Sequence, residues 1–477
     1  MKNRTLALVT VLLLFSSLLF GCRGKAAVPA CLVTGDVENL VSLADLPRTY
    51  YTRIPGEKGS AIPLAKLVEA SAPLDSNFSV LLLGVDGLFA RLAGDELEGC
   101  YIVNRGGTWN TVAKEHPVNA GIKDLREIII VAEGDDLDLG VNIISQTENI
   151  CRLTPGKMAL GETICYPYLD GETKIEGGYG ISLYKQKKVI PLTALTEEEI
   201  RSVLVMGKEG EYEFLIGFGY LELNKNEINY LLPKDRFSIR NIAGVIINPP
   251  VQSVLDTYAD SIHYLNLGEK VMVIYIDGLG YHQYEHARDL GCIPNLAALG
   301  TAGRVNTIYK PVTNAGFAAL VTGQPPAVNG ICARESREPK VDTIFDWLEA
   351  RGKNHVLIEG NGSVLKLNTN TVYSADLNND GSNDDEVFNN ALTELKKSPD
   401  FIMVHFHGVD DAGHNYGDCD ERTMAVLQMV DLYIRVLVEE WEGRVIITSD
   451  HGMHSLDDEG SHGSFRYEDM FVPYFRK

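Results

Sequence analysis

Two different patterns of apolar and polar positions divide the chain. Up to about residue 250, short apolar runs alternate with turns that contain Gly and Asp, which is typical of β-hairpins. From about residue 268 onward, short β-rich apolar runs alternate with longer segments of helical periodicity. The first pattern predicts mostly β modules, and the second predicts an α/β domain.

The carboxyl-terminal pattern predicts a parallel sheet that is covered by helices on both faces. Strands that alternate with helices pair in parallel, because each helix carries the chain back across the sheet. We expect this domain to occupy residues 268–477. Its predicted strands are Val271–Ile276, 355–358, Phe401–Phe406 and Arg444–Thr448, and its predicted helices are 343–351, 385–397 and Glu421–Glu440.

The amino-terminal half contains two stretches that look alike. The matching segments are residues 62–64, 79–87 and 128–131 in the first stretch, and 190–192, 202–210 and 245–247 in the second. Both begin with Ile-Pro-Leu and contain G-x-(D/E)-G, which predicts a hairpin turn. We predict a duplicated, mostly β module with copies at residues 35–135 and 136–250, which serves as a binding or scaffold domain.

The length and charge of the chain limit the classes of function that it can have. A chain of 477 residues that is 45% hydrophobic can form two or three packed domains. Its net charge of −22 argues against nucleic-acid binding, which depends on clustered Lys and Arg. An anionic substrate would need local positive charge in such an acidic protein, and bound metal ions can supply it.

The first residues have the pattern of a secretion signal. Lys2 and Arg4 precede an apolar run at residues 6–20, which is too short for a comfortable membrane span. The sequence Leu-Phe-Gly-Cys at residues 19–22 resembles the lipobox of bacterial lipoproteins. We therefore expect a signal peptide at residues 1–22, lipidation of Cys22, and an extracytoplasmic chain anchored to the bacterial cell membrane. Plain secretion and an uncleaved anchor are the alternatives.

Seven further cysteines are widely spaced and form no CxxC pair, so they predict no zinc knuckle. One or two disulfides would be compatible with an extracytoplasmic location, but the odd number leaves at least one thiol free. The pairing cannot be deduced from the sequence.

Residues that commonly bind metals follow three of the predicted strands. In open α/β sheets, ligands bind beyond the carboxyl ends of the strands. Carboxylates with imidazoles suit Zn²⁺ or Mn²⁺, and two such clusters suit a pair of ions about 4 Å apart. Each residue alone could be a helix cap or a chance occurrence, but the ordered set indicates a two-metal site. The set is Asp277, Asp410, His414, Asp450, His451 and His462.

Thr313 is the candidate nucleophile. It begins an apolar helical stretch, where free N–H groups and the helix dipole stabilise an anion. A threonine hydroxyl becomes a good nucleophile when a metal lowers its pKa. The alternatives are that Thr313 is only a helix cap, or that Thr307 is the nucleophile, although no such helix follows Thr307.

The ordered residues resemble the alkaline phosphatase superfamily, and most of all its type I phosphodiesterase and nucleotide pyrophosphatase branch. Residues 310–326 (KPVTNAGFAALVTGQPP) are similar to the nucleophile helix of that branch and the T-G-x-x-P that follows it. The resemblance covers residues 268–477 and implies a phosphoester hydrolase with a threonine nucleophile and two divalent ions, zinc by expectation and manganese as the alternative. It implies one ion at Asp277, Thr313, Asp450 and His451, and the other at Asp410, His414 and His462.

The substrate is less defined, because the chain departs from the branch in one segment. The branch usually has His-Gly-Ile and then a phosphate-binding Asn, whereas residues 329–331 are Asn-Gly-Ile and Arg334 follows. An arginine can clamp a phosphoryl group or form a surface ion pair. We expect Asn314 and Arg334 to contact a small phosphoester substrate.

Other functions remain open at this point. A phosphonate hydrolase and a phosphomutase of the same superfamily would share the metal ligands. A sulfatase would need a Cys or Ser at position 313 for conversion to formylglycine, and Thr313 cannot provide it. The alternative from another class is a surface-anchored binding protein with an inactive hydrolase domain.

Two further motifs support weaker expectations. The first β module is faintly similar to the molybdopterin-binding domain of sulfite-oxidase-like proteins, partly through residues 116–118 and 124–128, but its cysteine ligand cannot be placed. Residues 376–384 (DLNNDGSND) begin like an EF-hand calcium loop. Val387 stands at position twelve, where a bidentate Glu is needed, so we expect no EF-hand and at most a weak Ca²⁺ site.

Overall fold

A computed structural model describes residues 31–54, 59–113, 121–134, 139–174, 180–232, 237–457 and 459–477. Cys22 and residues 116–118 lie outside these ranges. The chain forms two compact units, one of Met1–Leu139 with Thr154–Gly161, and one of Gly140–Leu153 with Glu162–Lys477. In the described part of the chain, every helix is too short or too polar to span a bilayer.

The first unit is built on a sheet with the strand order β2–β1–β8–β4–β5, beside a smaller sheet with the order β3–β6–β7. Its elements are β1 (Leu32–Gly35), β2 (Val41–Ser42), a 3₁₀ turn (Arg48–Tyr50), β3 (Ala61–Pro63), α1 (Leu64–Ser71), β4 (Phe78–Gly84), β5 (Phe89–Ala93), β6 (Cys100–Arg105), β7 (Thr108–Ala113), β8 (Leu125–Ala132) and α2 (Pro155–Leu160). Alternate residues of β4 and β8 enter one core, because side chains of a strand point to opposite faces.

A buried carboxylate explains why α2 belongs to the first unit. Asp36 is fully buried and accepts hydrogen bonds from the Ala132 N–H at 3.0 Å, the Thr154 hydroxyl at 2.9 Å and the Gly156 N–H at 2.9 Å. A buried charge is costly unless donors surround it, so these bonds hold residues 154–161 against the first sheet.

The second unit begins with a sheet of the order β10–β9–β18–β13–β14 and a second sheet of the order β11–β12–β15–β16–β17. Their bounds are β9 (Val141–Ile144), β10 (Asn149–Leu153), β11 (Ile164–Lys174), β12 (Gly180–Pro191), a 3₁₀ turn (Leu192–Ala194), β13 (Ser202–Gly207), β14 (Tyr212–Ile216), β15 (Tyr220–Asn224), β16 (Glu227–Leu232), β17 (Phe237–Ile239) and β18 (Ile242–Ile247). The boundary predicted near residue 250 falls inside this unit.

The sheet that contains β1 and the sheet that contains β9 have the same topology. In each, a parallel pair (β1 with β8, β9 with β18) is flanked by antiparallel strands in the same order. The predicted hairpin turns are confirmed in both, with the Gly84 N–H bonded to the Leu88 carbonyl at 2.8 Å and the Gly207 N–H to the Glu211 carbonyl at 3.0 Å. A duplicated module would have this arrangement; the duplication and the domain boundaries stay predictions.

The rest of the second unit is a larger sheet with the order β20–β27–β24–β19–β23–β21–β22. Its strands are β19 (Val271–Ile276), β20 (Gly303–Asn306), β21 (His355–Glu359), β22 (Thr371–Tyr373), β23 (Phe401–Phe406), β24 (Arg444–Thr448) and β27 (Phe471–Arg476), beside a short pair, β25 (His454–Ser455) and β26 (Gly460–Ser461). Strands β24, β19, β23 and β21 are parallel, as predicted, and β22, which was not predicted, pairs in parallel with β21. The antiparallel strands β20 and β27 were not predicted; β27 follows the last loop of the chain and returns along β24.

Helices cover both faces of this sheet. They are α3 (Asp256–Asn266), α4 (Tyr281–Asp289), α5 (Pro294–Ala298), α6 (Thr313–Thr322), α7 (Pro326–Asn329), α8 (Ile344–Glu349), α9 (Asp384–Leu395), α10 (Gly408–Tyr416), α11 (Glu421–Glu440) and α12 (Tyr467–Met470). Met272 and Ile274 of β19 pack in one core with residues of α4, α9 and α11, while Val273 and Tyr275 pack in another with residues of α6 and α8. The predicted α/β fold with preceding β modules is confirmed.

All seven cysteines in the described residues are free thiols, at positions 31, 100, 151, 165, 292, 332 and 419. The disulfides that the compartment would permit are therefore not formed among these residues.

Candidate active site

The candidate site lies where three neighbouring strands of the larger sheet end. Strands β24, β19 and β23 are adjacent and parallel, so the residues that follow them meet at one edge of the sheet. Asp277 and Asp450 are buried there. Gly278 has a φ of +72°, and a Cβ on it would lie 2.8 Å from the Asp410 Oδ1. Glycine therefore permits both the turn after β19 and the approach of Asp410.

One group of candidate metal ligands comprises Asp277, Asp450 and His451. The His451 Nε2 lies 3.4 Å from the Asp277 Oδ1 and 3.6 Å from the Asp450 Oδ2. The Thr313 Oγ1 lies 3.3 Å from the His451 Nε2 and 3.5 Å from the Asp277 Oδ1. The structure thus brings together the four residues assigned to the first ion.

A second group comprises Asp410, His414 and His462. The Asp410 carboxylate has its Oδ2 3.5 Å from the His414 Nε2 and its Oδ1 3.7 Å from the His462 Nε2. The rings of His462 and His451 stack with their centroids 3.9 Å apart, so the two groups are neighbours.

The three imidazoles are oriented by the main chain. The His414 Nδ1 lies 3.1 Å from the Gly460 carbonyl, the His451 Nδ1 lies 3.0 Å from the Gly452 carbonyl, and the His462 Nδ1 lies 3.0 Å from the Pro311 carbonyl. A neutral imidazole that donates from Nδ1 carries its lone pair on Nε2, the atom that can bind a metal. In this structure the His462 Nε2 faces the Arg334 guanidinium. Burial, with His451 adjacent, lowers the pKa of His462 to about 2, which keeps this ring neutral.

Each group contains a buried carboxylate oxygen that lacks a hydrogen-bond donor. Among the described residues, nothing donates to the Asp450 Oδ2 or to the Asp410 Oδ1. Burial and the charge of Asp277 raise the pKa of both carboxyls well above the usual range. Unpaired buried charges are costly, so both groups fit a divalent cation.

The helix α6 begins at Thr313, as predicted, and its position depends on a glycine. A Cβ on Gly316 would lie 2.6 Å from the Asp450 carbonyl oxygen, so this residue lets α6 cross the end of β24 closely. The rival nucleophile, Thr307, is fully buried and donates its hydroxyl hydrogen to the same Asp450 carbonyl. Its geometry is that of a structural hydroxyl.

Two histidines that the sequence argument missed support Asp277. The Asp277 Oδ2 lies 3.1 Å from the His405 Nε2 and 3.1 Å from the His407 Nδ1. Burial alone would raise the pKa of Asp277, but the bonds from His405 and His407 outweigh it and hold this pKa well below its usual range. Behind them, the Tyr275 hydroxyl lies 2.6 Å from the His405 Nδ1. The sequence His-Phe-His at residues 405–407, where β23 ends, is the feature that could have indicated these two histidines.

A cavity of about 640 Å³ opens beside Thr313. It is lined by Thr313, Asn314, Arg334, Arg337, Asn361, Gly362, Ser363, Val364, Asn383, His407, Asp410, Asp411 and His414. The Arg334 Nη2 lies 2.8 Å from the His462 Nε2, at the second metal group. The Asn314 amide nitrogen donates to the carbonyls of Ser336 and Val364, both at 3.2 Å. Asn314 therefore connects the start of α6 to both of these segments. Substrate binding by Asn314 and Arg334 stays a prediction.

Comparisons with solved structures give distant similarities. The phosphonoacetate hydrolase from Sinorhizobium meliloti 1021, in complex with phosphonoformate, aligns with a TM-score of 0.33 and 20% identity over 39% of this chain and 57% of that chain. The murine ectonucleotide pyrophosphatase / phosphodiesterase 5 aligns with a TM-score of 0.33 and 21% identity over 40% of this chain and 58% of that one. The chain thus spans less than two thirds of either protein. No curated protein matches it.

A protein-family comparison matches the part of the chain that forms much of the larger sheet. Residues 363–472 match the model of the type I phosphodiesterase / nucleotide pyrophosphatase family. The matched segment contains both Asp410 and Asp450 with their neighbouring histidines, whereas Asp277 and Thr313 precede it. This match supports a phosphoester hydrolase.

Proposed function

We propose that residues 268–477 form a metal-dependent phosphoester hydrolase in which Thr313 is the nucleophile. One observation carries the proposal. The Thr313 hydroxyl stands at the start of α6, 3.3 Å from the His451 Nε2. Beside it, Asp450 and Asp410 each have one buried carboxylate oxygen that no described group donates to. A hydroxyl, a helix amino terminus and cation-binding groups in one place are the parts that phosphoryl transfer requires.

Two divalent ions are part of the proposal, with zinc expected. Asp277, Thr313, Asp450 and His451 would hold one ion, and Asp410, His414 and His462 the other. Bound there, the ions would lower the pKa of the nucleophile and stabilise the leaving oxygen. The seven side chains converge in two compact groups, which favours an active enzyme over an inactive binding domain.

The other steps of the proposed reaction use groups of the protein itself. The free N–H groups of the first turn of α6 would stabilise the negative phosphoryl oxygens as Thr313 attacks phosphorus. The proposed intermediate is a phosphothreonine, which water then hydrolyses. His405 and His407 would keep Asp277 ionised and oriented, because both donate to its Oδ2.

The cavity supports a small phosphoester as the substrate. Arg334 and Arg337 line the same cavity as the nucleophile, and guanidinium groups bind phosphoryl oxygens bidentately. The cavity is open to solvent, so the alcohol part of the substrate can extend outward.

A substrate screen tests the function. The full chain is assayed with p-nitrophenyl phosphate, bis(p-nitrophenyl) phosphate and phosphonoacetate, each with Zn²⁺ or Mn²⁺, and with Asp410→Asn as the control. We expect hydrolysis of at least one ester, lost with a chelator and in the variant. Phosphate release from phosphonoacetate alone would support the phosphonate hydrolase alternative, and no reaction with any substrate would contradict the proposal.

A further inference from the structure

A fully buried carboxylate on α12, that of Asp469, is bonded to two segments of the loop that follows β24. Its Oδ1 lies 2.7 Å from the His454 Nδ1, and its Oδ2 accepts the Ser464 N–H at 2.9 Å. His454 is itself only 6% exposed. A buried carboxylate is costly without donors, and here each of its oxygens has one. The side chain of Asp469 therefore holds two segments of this loop in one place.

The main chain of the same residue holds the loop that carries His451. The Asp469 carbonyl accepts the Gly452 N–H at 2.9 Å. The Gly452 carbonyl in turn lies 3.0 Å from the His451 Nδ1. Two successive hydrogen bonds thus lead from Asp469 to a candidate ligand of the first metal group. Because they use only main-chain atoms of Asp469, removing its side chain does not break them directly.

A short ribbon, formed by β25 and β26, connects the Asp469 side chain to His414. His454 of β25 is bonded to Asp469 and pairs with Ser461 of β26. The residue before Ser461 is Gly460, whose carbonyl lies 3.1 Å from the His414 Nδ1 on α10. The Asp469 side chain therefore fixes the position of the acceptor that orients His414.

His462 is held on both sides by the same carboxylate. The ribbon ends one residue before His462, and Ser464, which donates its N–H to the Asp469 Oδ2, follows two residues after it. The backbone of His462 thus lies between two points that Asp469 fixes. Both imidazoles of the second group, His414 and His462, depend on one side chain that belongs to neither group of candidate ligands.

We propose that Asp469 is a positioning residue that sets the second metal group, Asp410, His414 and His462, in place relative to the first. The inference rests on the metal ligands assigned in the proposed function. The Asp469 main chain holds the loop of His451, while its side chain holds the segments that orient the other two imidazoles. Hydrogen-bond partners that orient metal ligands contribute about 10–100-fold to metal affinity. Loss of this side chain should weaken the second group in that range and leave the first group nearly unchanged.

Zinc titrations of two parent variants separate the two groups. Asp450→Asn removes a ligand of the first group and leaves the second, whereas Asp410→Asn does the reverse. Each full-length variant is titrated with Zn²⁺ in competition with a chromogenic chelator. Adding Asp469→Ala should raise the Kd for Zn²⁺ about 10–100-fold in the Asp450→Asn parent, and by less than about 3-fold in the Asp410→Asn parent.

Asp431 on α11 provides a matched control. It is also fully buried, and its carboxylate accepts the N–H groups of Leu296 at 2.7 Å and Asn295 at 3.1 Å, which fasten α5. Asp431→Ala should lower stability in denaturant unfolding about as much as Asp469→Ala, yet change the Kd for Zn²⁺ by less than about 3-fold in either parent. This comparison separates positioning of the metal ligands from a general loss of stability.

Two milder variants test the hydrogen bonds one by one. An asparagine at position 469 can accept the Ser464 N–H with its carbonyl and donate its amide hydrogen to the His454 Nδ1, if that imidazole carries its hydrogen on Nε2. Asp469→Asn should therefore keep most of the affinity that Asp469→Ala loses. His454→Phe keeps a ring but removes one bond, so it should raise the Kd in the Asp450→Asn parent, and it replaces Asp469→Ala in the test if that variant does not fold.

The inference is wrong if Asp469→Ala leaves the affinity of the Asp450→Asn parent unchanged, if both parents lose affinity equally, or if Asp431→Ala has the same effect. Equal losses in Asp469→Asn and Asp469→Ala would also contradict it, because the charge of Asp469 rather than its hydrogen bonds would then support the metal. Absence of Zn²⁺ binding by the wild-type chain would overturn the proposed function as well, whereas the other outcomes overturn this inference alone. None of these measurements depends on hydrolytic activity.

Discussion

Gly316 is the residue at which the nucleophile helix α6 crosses the strand end that carries Asp450, and its replacement by alanine tests the geometry of the site. The new Cβ would lie 2.6 Å from the Asp450 carbonyl oxygen and 2.7 Å from the Asp450 Cβ, whereas ordinary contacts begin at 3.4 Å. Helix and strand end must then separate by roughly 0.8 Å, and Thr313 moves with the helix.

The magnitude follows from two effects. A displacement of about 1 Å at reacting groups can lower the rate about 100-fold. Overpacking costs ~1–3 kcal/mol of folding free energy, while replacing a helical glycine by alanine returns up to ~1 kcal/mol. We therefore expect Gly316→Ala to lower kcat about 100-fold while the free energy of unfolding falls by only ~0–3 kcal/mol.

The assay compares kcat on the best substrate of the screen with denaturant unfolding of the same protein. Gly171→Ala is the matched control, because a Cβ at Gly171 would meet no atom within 4 Å. A Gly316→Ala enzyme with wild-type kcat would refute the inference that Thr313 is held at a fixed distance from Asp450.

Three further predictions concern the metals, the rival nucleophile and the anchor. The double variant Asp450→Ala/His414→Ala should fall from about two bound transition-metal ions per chain to well under one in elemental analysis; undiminished metal content would contradict the ligand assignment. Thr307→Val should cost ~1–3 kcal/mol in denaturant unfolding, because it leaves a buried carbonyl without its donor, yet phosphate should still be found on Thr313; loss of turnover at unchanged stability would point to Thr307 instead. Cys22→Ser should release the protein from membranes; unchanged fractionation, with no acyl group found by mass spectrometry, would rule out the lipid anchor.

The central strands of the larger sheet were predictable because their signals are local. Strands β19, β23 and β24 have the bounds that the apolar runs predicted, since a strand buried on both faces is apolar throughout. The polar residues that follow such strands meet at one edge of any parallel sheet. By this general rule, the sequence alone predicts that Asp277, Asp410 and Asp450 lie together.

Features that depend on contacts distant in sequence were not predictable. The support of Asp277 by His405 and His407 arises because β19 and β23 are neighbours, and nothing in either strand alone specifies that pairing. In the same way, the residues next to Asn314 do not indicate that its amide nitrogen donates to the carbonyls of Ser336 and Val364, which belong to later loops. Local patterns identify elements and ligand types, whereas the partners of each polar atom follow from tertiary packing.

The most direct test of the central claim is to trap the covalent intermediate. The Zn²⁺-loaded chain is mixed with its substrate, quenched at low pH and mapped by peptide mass spectrometry. We predict a phosphate on Thr313, loss of both label and turnover in Thr313→Ala with the metal content unchanged, and partial turnover in Thr313→Ser, which keeps a hydroxyl. A phosphate on another residue, or hydrolysis by Thr313→Ala near the wild-type rate, would contradict a mechanism in which Thr313 is the nucleophile.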